Sequence, residues 1–151
     1  MTGSVHSVKY YETDKMGITH HSNYIHWMEE ARVDYLRQIG FPYEKLEEMG
    51  IASPVVSVEC KYKAPTTFPD EVQITVSVEG FNGLRLRFLY EMRKGDQFVA
   101  VGHSEHCFVD GSGKLLRLKR DYPALYGRLL SLLPSDRASD EASIPEGGNG
   151  K

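Results

Sequence analysis

The sequence predicts an α+β fold in which one long helix covers a face of an antiparallel sheet. Three observations lead there. Between Tyr24 and Ile39 the apolar positions Ile25, Met28, Ala31, Tyr35, Leu36 and Ile39 recur at helical spacing. From Val56 onward the period drops to two, and the alternating runs are separated by short turn signals. The stretch at 24–39 is the only one long and apolar enough to cover such a sheet.

Taken in order, Val5 to Tyr11 is consistent with a first strand ending near Glu12. Thr13 to His21 has no period and contains Gly17, so it is a loop. The long helix is expected to start near Ser22 or Asn23, with Ser22 as N-cap, and to stop at Gly40 ahead of Pro42. A short helix follows over Tyr43 to Met49, ended by Gly50. Val56, Val58, Cys60 and Tyr62 alternate with polar residues until Ala64-Pro65. Val72, Ile74, Val76 and Val78 form a clean half-buried strand, and Asn82-Gly83 signals a hairpin. Leu84, Leu86, Phe88, Tyr90 and Met92 then share one face, with Arg85, Arg87, Glu91 and Arg93 on the other. Lys94-Gly95-Asp96 makes the next turn, and Phe98 to Val109 is a strand closed by Asp110-Gly111-Ser112-Gly113. Asp121 to Leu133 reads as a C-terminal helix ended by Pro134. The domain is therefore expected over 1–133. Residues 134–151, rich in Ser, Asp, Glu and Gly, are expected to be a disordered tail.

Bulk properties exclude several classes. A chain of 151 residues, 26% charged and 40% hydrophobic, fits one globular domain. A net charge of -3 argues against nucleic acid as a partner. No apolar run approaches the ~20 residues of a membrane span, and the N-terminus lacks the pattern of a signal peptide. The two cysteines, Cys60 and Cys107, fall in strands and read as free buried thiols in a reducing, cytoplasmic compartment. Nine tyrosines and six phenylalanines suggest a core or binding slot with aromatic walls.

The chemistry concentrates between Tyr10 and Gly40. Asp14 is the only carboxylate in the loop core, and Gly17 lets backbone approach closely. The N–H groups near His21 to Asn23, at a helix start, can bind an oxyanion. A carboxylate beside such donors can serve as nucleophile or general base toward a carbonyl. The plainer reading, favoured on spacing alone, is that Asp14 caps a turn.

The run Tyr10-Tyr-Glu-Thr-Asp14-Lys-Met-Gly17-Ile-Thr-His-His21-Ser-Asn23-Tyr24, followed by Trp27, Glu29 and Ala31-Arg32, resembles the signature of hotdog-fold acyl-CoA thioesterases. The nearest type is the 4-hydroxybenzoyl-CoA thioesterase group, which includes the short-chain enzymes associated with the Tol-Pal genes. The likeness extends to about Leu133. It implies a hotdog fold, an antiparallel sheet wrapped around a long central helix, and hydrolysis of an acyl-CoA thioester. It implies Asp14 as the catalytic carboxylate and the backbone N–H of His21 as the group polarising the thioester oxygen. Gly17 and Tyr24 would contribute to substrate binding, Glu29 would lie near the acyl pocket, and Ser53 would sit beside the acyl or thioester group. Phe81-Asn82-Gly83 and Arg85 would lie along the pantetheine arm and nucleotide. Lys61, Lys63, Arg117, Lys119 and Arg120 are candidates for the coenzyme A phosphates. His21 stands where the benzoyl enzyme has tyrosine, so an aromatic hydroxybenzoyl substrate is not implied. No cofactor is expected, since coenzyme A is part of the substrate. A homodimer or homotetramer is expected as the working form.

Rival readings use the same residues. His20, His21 and His26 are close in sequence, but no HExxH or CxxC pattern accompanies them and no metal is expected. His103 and His106 fall on opposite faces of their strand. Ser104 lacks the Gly-x-Ser-x-Gly elbow of a serine nucleophile. Two function classes compete with the hydrolase: a hotdog dehydratase or hydratase pairing Asp14 with His20 or His21, and a non-catalytic acyl-CoA-binding protein.

Overall fold

The computed structural model describes residues 2–134. The strands are β1 (Thr2–Ser7), β2 (Val55–Tyr62), β3 (Glu71–Phe81), β4 (Arg85–Lys94) and β5 (Gln97–Cys107). The helices are α1 (Ser22–Gln38), α2 (Tyr43–Glu48), α3 (Leu118–Asp121) and α4 (Pro123–Leu130). The strands form one antiparallel sheet in the order β1-β3-β4-β5-β2. The register of β1 on β3 runs from Thr2 opposite Val76 to Ser7 opposite Glu71. The α+β expectation is met, with β1 as a fifth strand of the sheet.

The chain divides into two compact units. The first comprises residues up to 43, 58–77 and 89–103. Its core joins Trp27, Met28, Ala31, Tyr35 and Leu36 of α1 to Val72, Ile74 and Val76 of β3 and Tyr90 and Met92 of β4. Alternate β3 residues are buried as the period of two predicts. Gly102 on β5 is required here: a Cβ would lie 2.8 Å from Met28 Sδ and 3.2 Å from the Glu59 carbonyl. α1 ends with Gly40 at φ +98°; its N–H reaches Arg37 O, and Phe41 N–H reaches Leu36 O. This is a Schellman stop, for which glycine is suited.

The second unit comprises residues 44–57, 78–88 and 104 onward. Leu46, Ile51, Val78, Phe81, Leu86, Phe88, Phe108, Leu118, Leu125 and Leu129 are buried in it. The Tyr122 hydroxyl donates to Met49 O at 2.7 Å, tying α4 to the end of α2. Asn82-Gly83 makes the expected hairpin. Gly83 has φ +89°, and Asn82 Oδ1 accepts the N–H groups of Leu84 and Arg85.

The structure adds to or corrects the sequence reading at four places. β1 stops at Ser7, and Tyr10–Glu12 wind into a 3-10 turn because the Glu12 carboxylate accepts the Lys9 N–H. Ser22 is helical rather than an N-cap; His21 takes the cap position, and the His20 ring accepts the Ser22 N–H. β2 alternates in sequence but is not half-buried: seven of its eight residues are exposed, as befits an edge strand. The single C-terminal helix is two, since the chain is extended at Arg117 and turns again at Tyr122, where Pro123 starts α4; α4 ends at Leu130. The tail expected at 134–151 lies, beyond its first residue, outside the described residues.

Candidate active site

Asp14 lies in a tight loop closed by a Thr13–Thr19 bridge. Its N–H donates to Ile18 O at 2.9 Å, and its own carbonyl accepts the Gly17 N–H at 2.9 Å. Gly17 stands at φ +79°, a conformation that suits glycine. Asp14 Oδ1 accepts the Met16 N–H at 2.8 Å, so the turn-capping reading is part of the geometry. Oδ2 has no partner among the described residues.

Hydroxyl groups pin this loop to the segment before β3. Thr67 Oγ1 donates to Gly17 O at 2.7 Å. The Thr19 N–H and hydroxyl both reach the Thr66 carbonyl, at 2.8 and 3.2 Å. Thr66 Oγ1 shares one hydrogen bond with Thr19 Oγ1 at 2.7 Å and another with the Tyr24 phenol at 2.9 Å. Burial raises the Tyr24 phenol above its usual range, although Thr66 opposes this in part, so it stays protonated.

The buried carboxylate of the region is Glu12, which the sequence reading placed at the end of a strand. One oxygen takes His6 Nε2 at 3.0 Å and the Lys9 N–H at 2.8 Å; the other takes Trp27 Nε1 at 2.9 Å. Burial pushes this carboxyl up, but the His6, Lys9 and Trp27 donors outweigh it and hold it below the ordinary range. Its backbone carbonyl receives the His20 N–H at 2.8 Å. Glu12 thus joins β1, the 3-10 turn and α1 at one point. A glutamate two residues before the loop aspartate was the available signal, but its donors come from three separate elements.

His21 opens α1 in helical geometry, φ -58° and ψ -28°. Its N–H has no acceptor among the described residues. Its carbonyl accepts the Tyr62 hydroxyl at 3.1 Å. Beside it opens a cleft of about 340 Å³ walled by Tyr24, Tyr62 and His21, with Ile18, Ala64 and Pro65 as apolar lining and Lys63 alongside. The Tyr62 phenol is pushed up to about 12 by burial and by the Cys60 thiol. Both phenols therefore remain protonated at neutral pH.

Asp14, Gly17, His21 and Tyr24 thus gather around one loop and the adjacent helix start. Asn82 and Gly83 instead line a second cleft, of about 300 Å³, with Leu84, Arg117, Lys119 and Arg120. Three cations converge there; Arg120 also pairs with Asp121 at 2.8 Å. The remaining candidates are dispersed. Arg85 is on β4 and pairs with Glu105 at 2.7 Å, lining neither cleft. Glu29 is exposed on α1, and Lys61 is exposed on β2. Ser53 is half-buried beside the Ala52–Val109 bridge in the second unit. Lys63 belongs to the first cleft and not to the basic one. Among the described residues no group of three or more His, Cys, Asp or Glu side chains is placed to hold a metal ion, and no helix is long and apolar enough to cross a membrane.

Comparison with known proteins gives the family. The family model of the thioesterase-like superfamily matches residues 8–146. The acyl-CoA thioesterase YbgC of Haemophilus influenzae is 30% identical over 124 residues, 81% of this chain and 91% of that protein. The crystal structure of a DHNA-CoA thioesterase from Staphylococcus aureus superposes with a TM-score of 0.83 at 29% identity, covering 95% of this chain and 96% of that one. A hypothetical protein from Aquifex aeolicus gives a TM-score of 0.79 at 33% identity, over 85% and 99% of the two chains. The fold is that of the hotdog thioesterases. On sequence and structure together, the chain belongs to the thioesterase-like superfamily.

Proposed function

We propose that this chain hydrolyses an acyl-CoA thioester to the free acid and coenzyme A. The observation that carries the reading is that one loop brings together Asp14, with one carboxylate oxygen unoccupied among the described residues, and the His21 N–H, with no acceptor among them. A thioester carbonyl is electrophilic and its thiolate leaves readily, so a carboxylate and an oxyanion donor suffice without a triad. Asp14 either takes a proton from water, whose oxygen then adds to the carbonyl, or attacks it directly to give an anhydride that water opens. Both routes pass through an oxyanion, which the His21 N–H receives. Collapse expels the coenzyme A thiolate, which picks up a proton. Such a donor is worth about 3 kcal/mol in other acyl-transfer enzymes.

Gly17 supports the loop turn and Tyr24 walls the acyl cleft in this reading. The cations around Asn82 and Gly83 are assigned the coenzyme A phosphates, because Arg117, Lys119 and Arg120 converge on one opening. Coenzyme A enters as part of the substrate, and no further cofactor is needed. The working form is a homodimer or a higher assembly of it, the hotdog domain spanning 1–133. Val55, Val56, Val58 and Tyr62 along the β2 edge are 43–51% exposed, and an apolar sheet edge is where a second copy can pair. The free thiols Cys60 and Cys107 are in keeping with a cytoplasmic setting.

The test is release of free thiol from a panel of acyl-CoA substrates, short aliphatic to aromatic. Coenzyme A release is expected for at least one acyl group, and Asp14→Asn should lower kcat by about 100-fold or more with the fold intact. Near-normal turnover by that variant would remove Asp14 from the chemistry. Enoyl interconversion without thiol release would make the chain a hydratase, and tight binding with neither a carrier of acyl-CoA.

A further inference from the structure

We propose that Asn23 is a positioning residue for the oxyanion donor, acting on the peptide group between His20 and His21. This rests on the hydrolytic reading above. Asn23 Nδ2 donates to two carbonyls, Glu12 O at 3.0 Å and His20 O at 3.2 Å. Both partners can only accept, which fixes the amide with its nitrogen toward them and uses both of its hydrogens. The Asn23 backbone N–H ends on the same His20 carbonyl, at 3.0 Å.

The His20 carbonyl and the His21 N–H are the two ends of one conjugated peptide unit. Hydrogen bonds received at the oxygen draw electron density toward it and make the N–H at the other end a stronger donor, since bonds in a chain polarise one another. Asn23 places two such bonds on that oxygen. Its second side-chain bond sets the direction. Glu12 O also receives the His20 N–H at 2.8 Å, so the peptides on both sides of His20 are referred to Glu12. Glu12 is itself held through its carboxylate by His6, Lys9 and Trp27.

This is the reverse of ordinary helix capping. An asparagine at a helix start usually accepts a backbone N–H with its side-chain oxygen. Asn23 instead donates backward, to carbonyls that precede the helix. The turn keeps its His20–Glu12 and Asn23–His20 backbone bonds without the carboxamide. The side chain's distinct contribution is therefore the orientation and polarity of the peptide that carries the His21 N–H.

The experiment uses the full chain and whichever acyl-CoA it hydrolyses best. Asn23→Ala should lower kcat about fivefold to tenfold, the weight of one hydrogen bond, with KM and melting temperature close to those of the parent. Asn23→Ser, whose hydroxyl reaches one carbonyl at most, should fall between. The spectroscopic readout is the carbonyl stretch of a carbon-13-labelled thioester bound to the Asp14→Asn protein. Binding should lower its frequency, and adding Asn23→Ala should shrink that shift. Unchanged kcat and an unchanged shift would overturn the proposal while leaving the hydrolase reading in place. A kcat loss no larger than the loss of folded protein would overturn it too. If Asn23→Ala does not fold, the same shift measured on Asn23→Ser decides. Failure of the parent chain to release coenzyme A from any acyl-CoA would instead defeat the hydrolase reading itself.

Discussion

Around Asp14 the polar backbone is tied down by short, directed bonds: Thr19 to Thr66, Thr67 to Gly17, His20 to Glu12. Around Arg117 the picture differs. The cations are exposed, Arg120 shares its charge with Asp121, and the Lys119 ammonium lies 5.9 Å from the Tyr126 ring. The contrast follows what each place has to do. Stabilising a developing oxyanion depends on an N–H held within a few tenths of an ångström, which a frame of fixed backbone hydrogen bonds supplies. Attracting phosphates needs charge of the right sign, and long solvated side chains provide that without fixed geometry.

Breaking the frame should therefore cost far more than thinning the charges. Glu12→Gln is the most damaging substitution after Asp14→Asn, because an amide must turn its NH2 against one of three N–H donors. A loss of about 2–4 kcal/mol is expected in urea melts, with a fall in kcat. Its pH dependence has a definite sign. The folded Glu12 carboxyl lies below its ordinary value, so its stabilisation is complete above the normal glutamate range and is lost as pH falls through the lower folded value. Melts between pH 7 and 3 should show a shallower acid decline for Glu12→Gln than for the parent. An equally steep decline would mean that another group carries it.

Gly102→Ala comes next. Met28 can swing aside, but the Glu59 carbonyl at 3.2 Å from the new Cβ belongs to the backbone. Overpacking of about 1–3 kcal/mol should appear as a lower Tm, and an unchanged Tm would mean that α1 is free to lift from β5. The mildest effect belongs to the basic cleft. Arg117→Ala with Lys119→Ala should raise KM for acyl-CoA by about threefold to tenfold, leave kcat unchanged, and lose its effect in high salt. Short thioesters without a nucleotide should not register the change. If they do, these cations serve the fold and not the phosphates.

Much of the frame was legible in the sequence. The period of two over Val72 to Val78 and the helical spacing over Ile25 to Ile39 both report burial directly, and both elements appear where expected. Gly40 and Asn82-Gly83 carry their conformations in their own chemistry. The exposure of β2 was not legible, because alternation looks the same in an edge strand that nothing in the described chain covers. The C-terminal break could have been read from Pro123, which starts a helix more readily than it continues one. Glu12 was not legible as an anchor, since His6, Lys9 and Trp27 meet it only once β1 and α1 are packed. Asn23 was visible in the motif, but nothing in sequence shows that its amide points backward. Of the candidate site, the loop and helix start are neighbours in sequence as well as in space, whereas the pairing of Arg85 with Glu105 joins residues twenty positions apart across the sheet.

The hydroxyl line through Tyr24, Thr66 and Thr19 has a centre as well as a position. The Thr66 hydroxyl bonds to both neighbours, at 2.9 Å to the Tyr24 phenol and at 2.7 Å to Thr19 Oγ1. Tolerance to change along it is therefore lopsided. A phenylalanine at 24 would delete one bond of the line. A valine at 66 would delete both and leave the Tyr24 phenol without its buried partner. Among natural variants of this chain, drift should accumulate at the head of the line and stop at its middle.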